Sequence, residues 1–156
     1  MSDRFVDTEQ ARQMLILFIQ AQKLPFTATL APGKHRTTAQ NRLQRKWMTE
    51  IAEQMPDEKA EYWRGYCKLR FGVPMLRAEN EEFRAKYDAV VKPLSYEQKI
   101  AIMSEPLDLP VTRIMTTKQK TAYLDEIFRH FSEQGVILTI PDDPSLIGQP
   151  ERRKVA

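Results

Sequence analysis

The sequence predicts an α+β fold, a small sheet packed with several helices around a helix-rich middle region. Two observations carry that expectation. Long segments repeat apolar residues at helical spacing, several of them opened by capping patterns, and between them lie four short stretches that read as strands: Arg4–Val6, Phe26–Leu30, Val111–Met115 and Val136–Ile140. At 156 residues the chain is long enough for one real core. Residues 1–143 read as a single domain. From Asp142 on, two prolines, a glycine and Arg152-Arg-Lys154 read as a flexible tail, taken as 144–156.

In chain order, Asp7 or Thr8 can cap a helix to about Gln22, whose apolar face is Ala11, Met14, Leu15, Phe18 and Ile19. Phe26-Thr-Ala-Thr-Leu30 is β-branched and alternating, and Pro32-Gly33 ends it; paired with the N-terminal strand through a helical crossover it would run parallel. Thr37 with Gln40 is a capping-box pattern and opens a helix whose core stripe is Leu43, Trp47, Ile51 and Met55. After Met55-Pro56, Asp57 can cap a helix through Leu69, with Gly72 and Pro74 expected to end it. Asn80–Lys92 and Ser95–Met103 read as helices separated by Pro93, the second with its own box, Ser95 and Gln98. Thr116 with Gln119 opens the clearest helix of the C-terminal half, its apolar face Tyr123, Leu124, Ile127, Phe128 and Phe131, and Gly135 is placed as its left-handed terminator.

Charge is segregated although the net value is only +3 and the pI near 9.0. Lys34, Arg36, Arg42, Arg45 and Lys46 fall in a stretch without an acid, and in the helix from Thr37 the cations recur on a face other than the core stripe. The helix start offers free amides and partial positive charge beside Lys34 and Arg36, so a phosphate there meets charge, donors and dipole together. This reads as a nucleic-acid contact, with Gln40 and Asn41 available to sugar or base edges; a solvated basic face, and capping or loop-bracing for the two amides, are the plain alternatives. Further cations are Arg64, Lys68 and Arg70, interleaved with Tyr62, Trp63, Tyr66 and Phe71, and Arg113, Lys118 and Lys120 at the second boxed helix. Rings beside cations suit a single strand, because bases stack while cations follow phosphates, yet rings at helical spacing are ordinarily core.

Other chemistries find little here. Cys67 is the only cysteine, so no intrachain disulfide forms, and a reducing, cytoplasmic setting follows; its ordinary role is a buried hydrophobe. The apolar run Met14–Ile19 is too short to span a bilayer. His35, His130 and Cys67 are too scattered for a metal site, no cofactor is implied, and no nucleophile elbow or phosphate loop is present. Pro56-Asp57 with Glu97-Gln98-Lys99 echoes a metal-dependent nuclease core, but that chemistry needs carboxylates on adjoining strands and both pieces sit at helix starts.

Phe26-Thr-Ala-Thr-Leu30, then Arg36-Thr-Thr-Ala-Gln-Asn-Arg-Leu43 with Trp47 early in the helix, resembles the NinB or Orf family of phage recombination proteins. Thr112-Arg-Ile-Met115, the helix Thr117–Phe131, and Glu133-Gln-Gly-Val136 leading to Pro141-Asp-Asp143 are similar too, and with a looser match at the N-terminal strand and helix the likeness covers about two-thirds of the chain. Ala39 stands where the family often has an acid, and Met55–Leu107 shows no similarity. The resemblance implies an α+β homodimer with a DNA-binding cleft. It further implies a recombination mediator without turnover, which assists loading of a recombinase onto single-stranded DNA coated by single-strand binding protein. The expected partners are DNA, single-stranded in preference to duplex, and the host single-strand binding protein. Against this stand a metal-dependent nuclease and a protein-interaction adaptor that does not bind DNA.

Overall fold

None of the four expected strands forms. Among the described residues of the computed structural model, 4–30 and 36–148, with side chains described for 4–30 and 39–148, the chain is all-α and has no sheet. It divides into two compact units, Met1–His35 and Arg36–Ala156.

In the first unit, α1 (Glu9–Ala21) is capped by Thr8, whose hydroxyl accepts the Ala11 N–H at 3.0 Å. No residue of α1 is buried, and Phe26–Leu30 is irregular and exposed.

The second unit holds α2 (Arg36–Gln54), α3 (Ala60–Cys67), α4 (Val73–Glu79), α5 (Glu81–Val90), α6 (Tyr96–Met103) and α7 (Thr117–Glu133). Helix α2 begins at Arg36, and the capping expected of the Thr37 side chain lies outside the described residues. The stripe read from its sequence is the one that packs: Leu43, Trp47, Met48 and Ile51 meet Trp63 and Cys67 of α3 and Tyr123, Leu124, Ile127 and Phe131 of α7. A side chain such as the fully buried Ile51 or Leu124 contributes about 1.5–3 kcal/mol. A second cluster, Val73, Leu76, Tyr87, Val91 and Met103, joins α4, α5 and α6.

The expected stop at Gly72 and Pro74 does not occur. Helix α3 runs through a wide π-turn, Lys68–Gly72, into α4, and the Val73 N–H reaches back to the Lys68 carbonyl. The widened turn accommodates Pro74, which has no N–H to donate and whose ring would crowd a tighter helix. Gly72 is there for space, since a Cβ would come within 2.5 Å of Val111 Cγ1.

Val136–Ile140 is extended but pairs with a helix. Gln54 accepts the Ile137 N–H at 2.8 Å and donates to the Ile137 carbonyl at 2.7 Å. Glu50 accepts the Thr139 N–H at 2.9 Å and its hydroxyl as well, and Trp47 Nε1 donates to the Thr139 carbonyl at 2.8 Å. Side chains one turn apart on α2 thus replace the neighbouring strand, while Val136 and Leu138 enter the core. The alternating pattern was real, but the partner was a helix.

Gly135 is the left-handed terminator expected, at φ 86°, with Gly135 N–H to Ser132 and Val136 N–H to Phe131 carbonyls. Both capping boxes, Ser95 with Gln98 and Thr116 with Gln119, are present. Residues 144–147 are not tail: Pro144–Ile147 forms a short 3-10 turn that buries Leu146 and Ile147. Val111–Met115 likewise contains a 3-10 turn, Thr112–Ile114, in place of a strand. No described helix is long and apolar enough to cross a membrane.

Candidate nucleic-acid interface

The cations singled out by sequence separate into two environments. Around α3 they are neutralised from within. Arg64 clamps Glu61 through Nε and Nη2 at 2.9 and 2.8 Å and reaches Asp108 Oδ1 at 2.7 Å. Lys68, only 2% exposed, donates to the same Asp108 oxygen and to the Met103 carbonyl, each at 2.7 Å. The Lys68 and Arg64 hydrogen bonds hold the Asp108 carboxyl below its usual range, and the Arg64 hydrogen bond does the same for Glu61. Burial pushes the Lys68 ammonium down, with the Asp108 hydrogen bond opposing it. Asp108 makes these contacts from a left-handed backbone, φ 49°. Arg64 and Lys68 therefore staple α3 to the loop after α6.

Along α2 the arrangement is the opposite. Asn41, Arg42, Arg45, Lys46 and Thr49 are all exposed, and among the described residues none of the three cations has an ion-pair partner. At 100° per residue, Asn41, Arg45 and Thr49 form one row with Arg42 and Lys46 beside it. That row borders two adjoining clefts. One of about 420 Å³ is lined by Asn41, Arg45, Met48, Thr49, Arg64 and Asp108 among others. The next, of about 380 Å³, lies between α2 and the start of α7 and is lined by Asn41, Thr112, Arg113, Thr116, Thr117 and Lys120 among others. Asn41 and Thr112 line both, so the clefts adjoin at that point.

Each remaining candidate has a definite place. Arg113 and Lys118 are exposed and unpaired by any carboxylate among the described residues, and Lys118 lies on another side of α7, beside Thr121 and Ala122. Lys120 is 6% exposed and donates to the Gln44 amide oxygen; burial brings its ammonium down to about 8. Gln40 is buried, and its Nε2 donates to Thr121 Oγ1 and the Leu146 carbonyl at 3.0 Å each, so it braces α2 against α7 and the last turn rather than facing a ligand. Arg70 is exposed, its guanidinium 5.9 Å from the Tyr66 and Phe71 ring centres. Those rings are half-buried and pack on His130, while Trp63 is core. Lys34 lies outside the described residues, as does the side chain of Arg36.

The sequence reading passed over Gln44, Asp108 and Thr117. Gln44 stands four residues from Gln40, one helical turn along the buried side, a spacing that would have marked both amides as inward. Asp108 had no local signal, because folding brings it to Lys68 from 40 residues away. Asp57 and Glu97, the nuclease-like pieces, sit in the turn after α2 and at the start of α6, and among the described residues no three His, Cys, Asp or Glu side chains group as a metal ion requires. No protein-family model, no curated protein and no solved structure matches this chain.

Proposed function

We propose that this protein binds single-stranded DNA along the exposed row of α2 and its two clefts, without turning it over. The observation that carries the reading is a set of exposed cations with no ion-pair partner among the described residues: Arg45 and Arg113 line the adjoining clefts, and Arg42 and Lys46 lie beside Arg45 on α2. Cations left free in this way exchange counterions for phosphates at little cost. Asn41 and Thr49 supply neutral donors and acceptors in the same row for sugars and base edges. A single strand suits such a surface because its backbone can follow exposed cations while polar side chains meet its sugars and bases.

A role as recombination mediator, with single-strand binding protein and a recombinase as partners and a homodimer as the working form, is proposed on the sequence resemblance to NinB or Orf proteins. The sheet which that resemblance implied is the part overturned, so the DNA reading is argued from the α2 surface instead.

The adaptor reading has its own observation in α1. Met14 and Leu17 are 58% and 59% exposed, and a helix with no buried residue normally needs a partner to be stable in water.

Fluorescence anisotropy of a labelled single-stranded oligonucleotide, with wild type and Arg42→Glu/Arg45→Glu, decides between them. Loss of most of the affinity in a folded variant supports the proposal. Equal affinity of the two proteins removes the α2 site, and no binding by either leaves the adaptor. Shortening of the probe with magnesium brings back the nuclease.

A further inference from the structure

We infer that the cleft between α2 and the start of α7 is a phosphate seat, holding one phosphate group among Lys120, Arg113, Asn41 and the first turn of α7. The inference deepens the single-strand reading and takes its ligand from it. The carrying observation is a buried cation with no counter-ion among the described residues: Lys120 is 6% exposed, lines the cleft, and among those residues has the neutral Gln44 oxygen as its hydrogen-bond acceptor. An ammonium has three donors, so two are unspent here, and the Tyr123 ring 5.6 Å away offsets little of the lost hydration. Such a group is unfavourable until an anion arrives, whereas the equally buried Lys68 already has its carboxylate.

Around that charge the other donors converge. Arg113 lines the same cleft, is exposed and has no carboxylate among the described residues. Thr116 spends its hydroxyl oxygen on the Gln119 N–H, which leaves the Thr117 and Lys118 N–H groups of a 17-residue helix without partners among the described residues. Asn41 adds a side-chain amide from α2. Among the described residues no carboxylate lines this cleft, whereas Glu61, Glu105 and Asp108 line the adjoining one. Its volume, about 380 Å³, is at the small end of ligand sites and matches a phosphate with part of its nucleoside. Two sources share that chemistry, the terminal phosphate of a strand end and a phosphodiester within the strand.

The test compares the full chain and its Lys120→Met and Arg113→Met variants. Each is titrated with a 3′-labelled single strand carrying either a 5′-phosphate or a 5′-hydroxyl, and each is checked for an intact fold by circular dichroism. A terminal seat gives wild type about a tenfold preference for the phosphorylated strand, which both variants lose. An internal seat gives no preference, but both variants weaken both strands by about tenfold and make the salt dependence shallower by about 0.7 in log–log slope. Folded variants that bind both strands as wild type does overturn the seat, and leave the α2 reading standing if Arg42→Glu/Arg45→Glu still loses affinity. If wild type binds no DNA, amide shifts at Thr117, Lys118 and Lys120 on adding inorganic phosphate uphold the seat alone, and unmoved amides overturn it.

Discussion

Two lysines of this chain are buried to nearly the same degree, and their surroundings divide the molecule. Lys68 on the π-turn has Asp108 at 2.7 Å, with Arg64 and Glu61 completing an internal ion network. Lys120 on α7 has a neutral amide and lines a cleft that one further exposed cation, Arg113, also lines. Composition treats the two alike. The difference lies in where carboxylates arrive on folding, and it assigns one cluster to stability and the other to binding.

The comparison breaks first at Asp108. Asp108→Ala strands the Lys68 ammonium, and the expected loss in a urea melt is about 3 kcal/mol, toward the lower end for a broken buried pair because Asp108 itself is 41% exposed. Asp108→Asn, which keeps an acceptor, loses less. Because Asp108 lines the first cleft, losing its negative charge does not weaken DNA binding while the variant is folded.

Next comes Arg42→Glu/Arg45→Glu, which reverses two solvated charges. Its unfolding free energy stays within about 0.5 kcal/mol of wild type, while affinity for a single strand at low salt falls at least tenfold. A large loss of stability would mean that these side chains are structural after all.

Lys120→Met sharpens the contrast from the other direction. Removing a buried charge that lacks a counter-ion raises stability by about 1 kcal/mol, a few degrees in melting temperature, and some of the gain is lost through the orphaned Gln44 oxygen. The same substitution at Lys68 destabilises. The pH dependence has a definite sign. Lys120 titrates near 8 in the folded chain against 10.5 ordinarily, so the unfolded chain holds its proton more firmly. The cost of carrying that charge is full below about 8 and relieved as pH climbs toward 10.5. The stability gap between Lys120→Met and wild type therefore closes across that window, as melts at pH 7 and at a pH above 9 would record.

The smallest effect is expected of Arg70→Ala. This exposed cation leans toward the Tyr66 and Phe71 rings at 5.9 Å, away from both clusters, and its loss changes stability by less than about 0.5 kcal/mol.

Much of the helical framework was legible because its signals are local. The stripe of α2, the boxes at Ser95 and Thr116, and the Gly135 terminator each lie within a few residues of what they specify. The strands failed because alternation reports only which side chains point inward. It does not say whether the backbone of residues 136–140 bonds to a strand or to Gln54, Glu50 and Trp47. The exposed row of α2 was readable as the face opposite that stripe. The fates of Lys68, Arg64 and Lys120 were not, since each turns on a partner 40 to 76 residues distant.

The most direct measurement is the salt dependence of single-strand binding by wild type, followed by anisotropy from low to moderate ionic strength. With Arg42, Arg45, Lys46, Arg113 and Lys120 on phosphates, log affinity should fall linearly with log salt at a slope of about −2 to −3.5. Absence of binding at low salt, or an affinity indifferent to salt, would contradict the claim that these unpaired cations form a nucleic-acid surface.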